Sequence, residues 1–224
     1  SYVRGDNPYA FPFKFYPKTF APEHSYKTRP LAKKQMNGAT IIQPLQFLDL
    51  YMLDISSYQM SVYKECVDSM AGRVPDDKGI GYQALNLPLQ ALDIVYPPVP
   101  DESPMESVGR SGLNSAFTYD SETKRDFAYK QEVQEQHGRF LEMPSLKEYS
   151  AKIAAVCESV ASSEGVILVY SQYIDGGCLP IALALEEMGL TRSIGKSLFA
   201  DPPLEGSNQL SYAMITGDSL LSPN

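Results

Sequence analysis

The sequence contains only three cysteines and two histidines among its 224 residues, and it has no run of about 18 apolar residues. The cysteines are odd in number and form no Cys-x-x-Cys pair, which fits a reducing compartment and excludes a disulfide framework. The two histidines, His24 and His137, lie far apart in polar segments and give a zinc site too few ligands. Without a long apolar run, the sequence offers no candidate for a membrane-spanning helix.

Positive charge is also scarce, because 19 Lys and Arg face 27 Asp and Glu and the formal net charge is −8. This balance excludes a protein that binds nucleic acid through bulk positive charge, although it leaves local basic or backbone contacts open. A P-loop is missing too. Gly195-Lys-Ser197 lacks the earlier glycine of that motif, since position 190 is Leu190, and we interpret it as a solvated loop. No Asp-Glu pair follows an apolar strand to hold Mg²⁺.

The length predicts between one and two domains, and 43% hydrophobic residues suffice for an ordinary core. Prolines alternate with aromatics from Tyr9 to Phe20, which predicts an edge strand or an extended strap. Phe47 to Ile55 has the composition of a strand. Ser56 and Gln59 form a capping box that predicts a helix ending at Gly72. A basic patch lies between the strap and that strand: Lys27, Arg29, Lys33 and Lys34.

The stretch from Arg73 to about Asp126 carries the weakest secondary-structure signals. Four prolines cluster there with Asp, Glu, Ser and Gly: Pro97, Pro98, Pro100 and Pro104. This composition predicts a long surface insertion or linker with short elements only, such as Leu85 to Val95. The charged segment from Asp126 to Gln136 predicts an exposed helix.

The last third is better specified. Ser145 and Glu148 form a second capping box, and apolar residues at helical spacing continue from Leu146 to Val160. Val166-Ile-Leu-Val-Tyr170 is a continuous apolar run typical of a parallel strand that is covered on both faces. Pro180 in a first helical turn and Gly189 at a C-terminus bound the next helix. The run from Leu210 to Ile215 predicts a second buried strand. Helix, strand, helix and strand in this order predict an open parallel α/β domain.

Each predicted strand is followed by a loop with polar groups. Ser171 to Gly177 lies at the carboxyl edge of the first strand, where ligands of open α/β sheets bind and glycines allow a phosphate to approach. An ordinary tight turn is the alternative. Thr216-Gly217-Asp218 occupies the same edge of the second strand, where it either holds a phosphate or caps a helix. Cys178 either lies at a helix N-terminus as a reactive thiolate or is a small buried residue.

Four segments occur in an order that resembles a known family: Ser150–Ile153, Gly165–Tyr173, Ala182–Gly189 and Ile215–Asp218. This series resembles the start of the second RecA-like lobe of superfamily-two helicases and translocases. In particular it is similar to the group encoded by large DNA viruses, which is related to poxvirus nucleoside triphosphatases and chromatin-remodelling ATPases. Upstream, Ser1–Gly5 and Ile55–Tyr63 look like that group's segment joining the two lobes.

The resemblance implies a partial RecA-like parallel sheet with flanking helices, preceded by an irregular strand and helix segment and a long insertion. The implied parts are the end of the first lobe with a connecting helix (residues 1–72), an insertion or linker (73–140) and a truncated second lobe (141–224). We also expect a piece of a longer protein, because a strand at the end lacks its crossover helix.

Carried over position by position, the resemblance implies contacts to a DNA or RNA backbone from five residues: Ser171, Gln172, Tyr173, Thr216 and Gly217. It implies no catalytic or metal-binding residue here. ATP and Mg²⁺ belong to the parent protein, whose first-lobe and arginine-rich motifs are partners missing from this sequence. It further implies an intracellular site without a membrane, in the virion or in the cytoplasm or nucleus of the host.

Two other functions stay open from the residues themselves. A non-catalytic α/β module that binds protein or nucleic acid is the first. An α/β transferase that uses the glycines at 176 and 177 is the second, although no acid–base pair lies near that loop in the sequence.

Overall fold

The structure is a computed structural model of the 224-residue chain, and it describes residues 40, 53–71, 85–98, 100–202 and 210–222. The chain divides into two compact units, Ser1–Met52 and Leu53–Asn224. All described residues except residue 40 lie in the second unit. The strap from Tyr9 to Phe20, the basic patch and most of the predicted strand from Phe47 lie outside the described residues.

The described part is mixed α/β with seven α-helices and four short strands. The helices are α1 (Ser57–Ala71), α2 (Asn86–Asp93), α3 (Gly109–Ala116), α4 (Gln131–His137), α5 (Leu146–Tyr149), α6 (Ala151–Ser162) and α7 (Leu179–Glu187). The strands are β1 (Phe117–Asp120), β2 (Arg125–Tyr129), β3 (Thr191–Arg192) and β4 (Ser211–Tyr212). A 3₁₀ turn covers Pro104–Ser107, and a π-helical turn covers Ile174–Cys178.

Helix α1 begins as the capping box predicts. The amide of Gln59 donates a 2.9 Å hydrogen bond to Oγ of Ser56, which satisfies one of the free donors of the first turn. Val62 and Cys66 are buried on the predicted apolar stripe. Gln59 is buried with them, and its side-chain amide donates to the carbonyl of Ala91, so α1 is tied to α2 by a polar contact inside an apolar interface.

Much of the main core comes from the stretch that the sequence predicts as a surface linker. The core residues that come from this stretch are Ile94, Tyr96, Leu113, Ala116 and Phe117. The ring of Phe117 lies 5.9 Å from that of Phe127 and 5.6 Å from that of Phe140. The surface placement is therefore wrong for these residues, because their apolar area finds partners that are distant in sequence. The domain boundaries at 72 and 140 stay predictions.

The predicted helix from Ser145 onward is two helices. Helix α5 ends at Tyr149, and Ser150 has an extended conformation with φ −156° and ψ 98°. Oγ of Ser150 accepts a hydrogen bond from the amide of Ile153 and donates to the carbonyl of Asp93 at 2.5 Å. The N-cap of α6 is thus Ser150, because a contact with the end of α2 holds it out of the helix.

The strands form two separate two-stranded sheets. Strands β1 and β2 pair antiparallel, and β3 and β4 pair parallel through Thr191 with Ser211 and Arg192 with Tyr212. The exposed helix predicted over 126 to 136 is wrong for its first half, which is strand β2, and right for α4. Helix α7 begins with Pro180 in its first turn, and Gly189 follows its end with φ 85°, as predicted.

The apolar run at 166–170 has no regular secondary structure and joins neither sheet. Val166, Leu168 and Tyr170 are 103%, 92% and 85% exposed, whereas Ile167 and Val169 are 41% and 40% exposed. The predicted buried strand is therefore wrong in the described structure, since no described strand lies beside it to accept its hydrogen bonds. The second predicted strand keeps two ladder residues, and Ile215 beyond them is exposed. A RecA-like sheet is not formed by these short pairs.

Candidate functional site

The first predicted loop, Ser171 to Gly177, is closed by its own hydrogen bonds. Oγ of Ser171 donates to the carbonyl of Tyr173 at 3.2 Å and accepts from its amide at 3.3 Å. The carbonyl of Tyr173 also accepts from the amide of Cys178. A Cβ at Gly177 would lie 2.0 Å from Oγ of Ser171, so glycine is required for this close approach. The loop is a tight turn whose hydroxyl serves the turn itself.

Two side chains of this region have different surroundings. Gln172 is exposed, and its amide makes no hydrogen bond with another described residue. Cys178 is half-buried, its thiol donates to the carbonyl of Ser171 at 3.8 Å, and burial raises its pKa. These surroundings favour the interpretation of Cys178 as a small buried residue over that of a reactive thiolate.

The second predicted loop is also closed locally. Oγ1 of Thr216 donates to the carbonyl of Asp218 and accepts from its amide, both at 3.1 Å. Oγ of Ser222 accepts a hydrogen bond from the amide of Thr216 and donates one to its carbonyl, each at 2.7 Å. Gly217 is exposed, and a Cβ there would meet nothing within 4 Å. Thr216 thus closes a turn, but no helix begins within the described residues 218–222, so the capping alternative is not confirmed. Gly217 leaves open space above the turn.

Two cations that the sequence did not single out lie against these loops. Nε of Arg110, on α3, is 3.9 Å from Oδ2 of Asp175 in the first loop. Nζ of Lys124, in the turn between β1 and β2, is 2.6 Å from Oδ2 of Asp218 in the second loop. We call these four residues the charged cluster. Because β1 directly follows α3, one continuous segment contacts both loops.

The pKa of Asp218 reflects charged groups of the neighbouring segment. The hydrogen bond from Lys124 lowers the pKa of Asp218 most, the amide of Leu220 adds to it, and the charge of Arg110 contributes in the same direction. The charge of Arg110 therefore helps to stabilise the charged form of Asp218.

Helix α3 packs closely against Ser107 and Tyr96 at Gly112. A Cβ at Gly112 would lie 2.4 Å from the carbonyl oxygen of Ser107 and 2.5 Å from Cδ2 of Tyr96. The hydroxyl of the buried Tyr96 donates to the carbonyl of Asp175 at 2.6 Å. Gly112 and Tyr96 thus hold α3 and the first loop together, which places Arg110 beside Asp175. Asp175 and Asp218 lie in loops that the sequence identifies as candidate sites. Arg110 and Lys124 belong to no motif that sequence analysis recognises.

His137 lies away from these loops. Its Nδ1 is 3.0 Å from the hydroxyl of Tyr149, and burial lowers its pKa. The polar segment around His137 predicts an exposed ring, but Tyr149 covers one side of it and His137 is half-buried. Within the described ranges, no group of three or more His, Cys, Asp or Glu side chains could hold a metal ion.

None of the helices in the described ranges has the length and apolar character needed to cross a membrane. Comparison with known proteins gave no matching family model, no matching curated protein and no matching solved structure.

Proposed function

We propose that the chain is part of the second RecA-like lobe of an ATP-dependent nucleic-acid helicase or translocase and that it binds the nucleic-acid backbone. The order of α6, the apolar segment at 166–170, α7, and the parallel pair of β3 and β4 supports this proposal. This order would be the helix, strand, helix and strand order of an open α/β lobe if the segment at 166–170 paired as a strand. In the proposal, the segment at 166–170 becomes a strand of the sheet when the lobe is complete.

The observation that carries the proposal is the connection between the two loops. Arg110 pairs with Asp175 in the first loop and Lys124 pairs with Asp218 in the second, although 43 positions separate these carboxylates in sequence. A backbone-binding edge needs its two loops on the same side of the lobe, because neighbouring phosphates of one strand are only slightly farther apart than neighbouring β-strands, about 4.8 Å. The ion pairs of both loops with one continuous segment, from α3 to the turn after β1, support that arrangement.

The chemistry of the exposed groups suits a phosphate backbone. The amide of Gln172 and the open main chain at Gly217 offer neutral donors, and Arg110 offers a charged one. Contacts to phosphate and sugar position a strand without reading its sequence, which is what a translocating motor requires. ATP and Mg²⁺ would be bound by other motifs of the parent protein, and its lobes would move on hydrolysis.

The proposal is tested by fluorescence anisotropy with labelled DNA and RNA oligonucleotides, single- and double-stranded, at low salt. We expect the wild-type chain to bind and Gln172→Ala to weaken binding by about 0.5–1.5 kcal/mol, the value of one neutral hydrogen bond. Thr216→Ala should weaken it too, whereas Thr216→Ser keeps the hydroxyl and should bind as the wild type does. Absence of binding by the folded wild-type chain would overturn the proposal.

A second candidate is the non-catalytic interaction module, which is favoured by the alternating exposure at 166–170. Val166, Leu168 and Tyr170 form an apolar strip whose backbone belongs to neither described sheet, and exposed strand edges pair with strands of other chains. In that case the wild-type chain binds no oligonucleotide and self-associates in sedimentation experiments, while Leu168→Asp is monomeric.

A further inference from the structure

The charged cluster contains equal numbers of cations and carboxylates, but its two ion pairs differ in kind. Lys124 has a side chain that is 16% exposed and lies 2.6 Å from Asp218, so its ammonium group is already bound. Arg110 has a side chain that is 71% exposed and approaches Asp175 only to 3.9 Å, beyond hydrogen-bond distance. Arg110 is therefore the cation of the cluster that retains its donors.

The guanidinium group matches a phosphate better than any other side chain does. It is planar, always charged, and presents donors in a fork that can bind two phosphate oxygens at once. Among the described residues, Arg110 makes no hydrogen bond through its guanidinium nitrogens. A loose, solvent-exposed ion pair contributes little to stability, so a phosphate that offers bidentate hydrogen bonds competes well with Asp175.

Lys124 has a different role in the same cluster. By neutralising Asp218, it removes the second carboxylate that would repel an approaching phosphate, and it fixes the turn that carries Thr216. The amide of Leu220 donates to the other carboxylate oxygen, Oδ1, at 3.0 Å, so Asp218 stays in place. The charged cluster thus contains one tight ion pair, Lys124 with Asp218, and one loose pair, Arg110 with Asp175, in which a ligand can replace the carboxylate.

Resting on the proposed function, we propose that Arg110 binds a phosphate group of the nucleic-acid backbone and that Asp175 is the carboxylate this phosphate displaces. Asp175 then lowers the affinity of the site and keeps Arg110 oriented when no ligand is bound. The ligand class is a phosphodiester, and a free phosphate or pyrophosphate ion offers the same oxygens.

The sharpest test uses opposite changes on the two partners. In anisotropy titrations with a single-stranded oligonucleotide, Arg110→Gln should weaken binding about fivefold and reduce the slope of log K against log salt by about 0.7. Asp175→Asn should tighten binding about twofold, because the competing charge is gone. The double variant should behave as Arg110→Gln does. Lys147→Gln and Glu158→Gln, which alter an exposed pair on α5 and α6 by the same charges, are the matched controls.

The outcomes separate this inference from the proposed function. If the wild type binds the oligonucleotide and Arg110→Gln binds equally, with an unchanged salt slope, the inference is wrong while the function stands. If the wild type binds pyrophosphate through Arg110 but no oligonucleotide, the phosphate site exists and the function fails. Equal effects of Arg110→Gln and Lys147→Gln would show that only net charge matters and would also overturn the inference. Circular dichroism confirms that each variant is folded.

Discussion

The hydroxyl of Tyr212 donates a 2.7 Å hydrogen bond to Oε1 of Glu186, so strand β4 is tied to the end of helix α7 through a buried carboxylate. The same carboxylate accepts the amides of Leu198 and Phe199 at 2.8 and 2.9 Å. Its neighbour Glu187 is buried as well and accepts from the hydroxyl of Tyr129 and from Nε of Arg139. Two consecutive glutamates thus connect α7 to four other parts of the fold: β4, residues 198–199, β2 and Arg139.

Replacing Glu186 by glutamine should lower the free energy of unfolding by about 1.5–3 kcal/mol, the value of hydrogen bonds to a charged group. Glutamine keeps one acceptor oxygen and replaces the other by an NH2 donor, so one of the two oxygens that accept from the amides of Leu198 and Phe199 is lost. Urea denaturation gives the difference. Glu158→Gln, which changes an exposed glutamate, should stay within about 0.5 kcal/mol of the wild type. Equal midpoints for both variants would contradict the role assigned to Glu186.

Stability should fall as the pH is lowered through the titration of His137. Burial lowers the pKa of His137 in the folded chain, so the unfolded chain, with a histidine pKa near 6.5, binds more protons in the window below that value. The contribution is therefore present above about pH 6.5 and is lost as pH falls toward the depressed pKa. In His137→Gln, which keeps a partner for Tyr149, the loss of stability between pH 7.5 and 5 should be smaller. Parallel curves for the two proteins would refute this assignment.

Gly177→Ala should destabilise the first loop by about 1–3 kcal/mol, the range for overpacking a filled space. The new methyl group forces Oγ of Ser171 away and breaks its bonds to Tyr173. Thermal denaturation of Ser171→Ala/Gly177→Ala should show partial recovery, because the clashing oxygen is gone. Gly217→Ala meets no atom within 4 Å and serves as the control. Similar losses for both glycines would mean that the loop is shaped differently.

Leu168→Ala and Leu183→Ala make the same change at two extremes of burial. Leu183 is fully buried in α7, so its truncation should cost about 2–5 kcal/mol. Leu168 is 92% exposed, so its truncation should change the unfolding free energy by less than about 0.5 kcal/mol. Guanidinium denaturation measures both. A large loss of unfolding free energy for Leu168→Ala would show that the segment at 166–170 is covered in the isolated chain.

The amino-acid sequence determined those elements whose signals act within a few residues. The cap at Ser56 and Gln59 depends on a hydrogen bond across three positions, and the limits of α7 depend on Pro180 and on the positive φ of Gly189. These preferences are properties of the local backbone and hold whatever packs against the helix. The tight turn at 171–177, one of the two interpretations of that loop, was recognisable for the same reason.

Only the tertiary structure decided the rest. The break at Ser150 depends on the carbonyl of Asp93, which is 57 positions away, and the core position of Phe117 depends on rings brought in from other elements. The run at 166–170 has the composition of a buried strand, yet a strand is buried only when a neighbour shares its hydrogen bonds, and neighbours are set by the whole fold. Arg110 beside Asp175 is likewise a meeting of distant segments, because no periodicity or spacing in the sequence encodes which surface charges face each other.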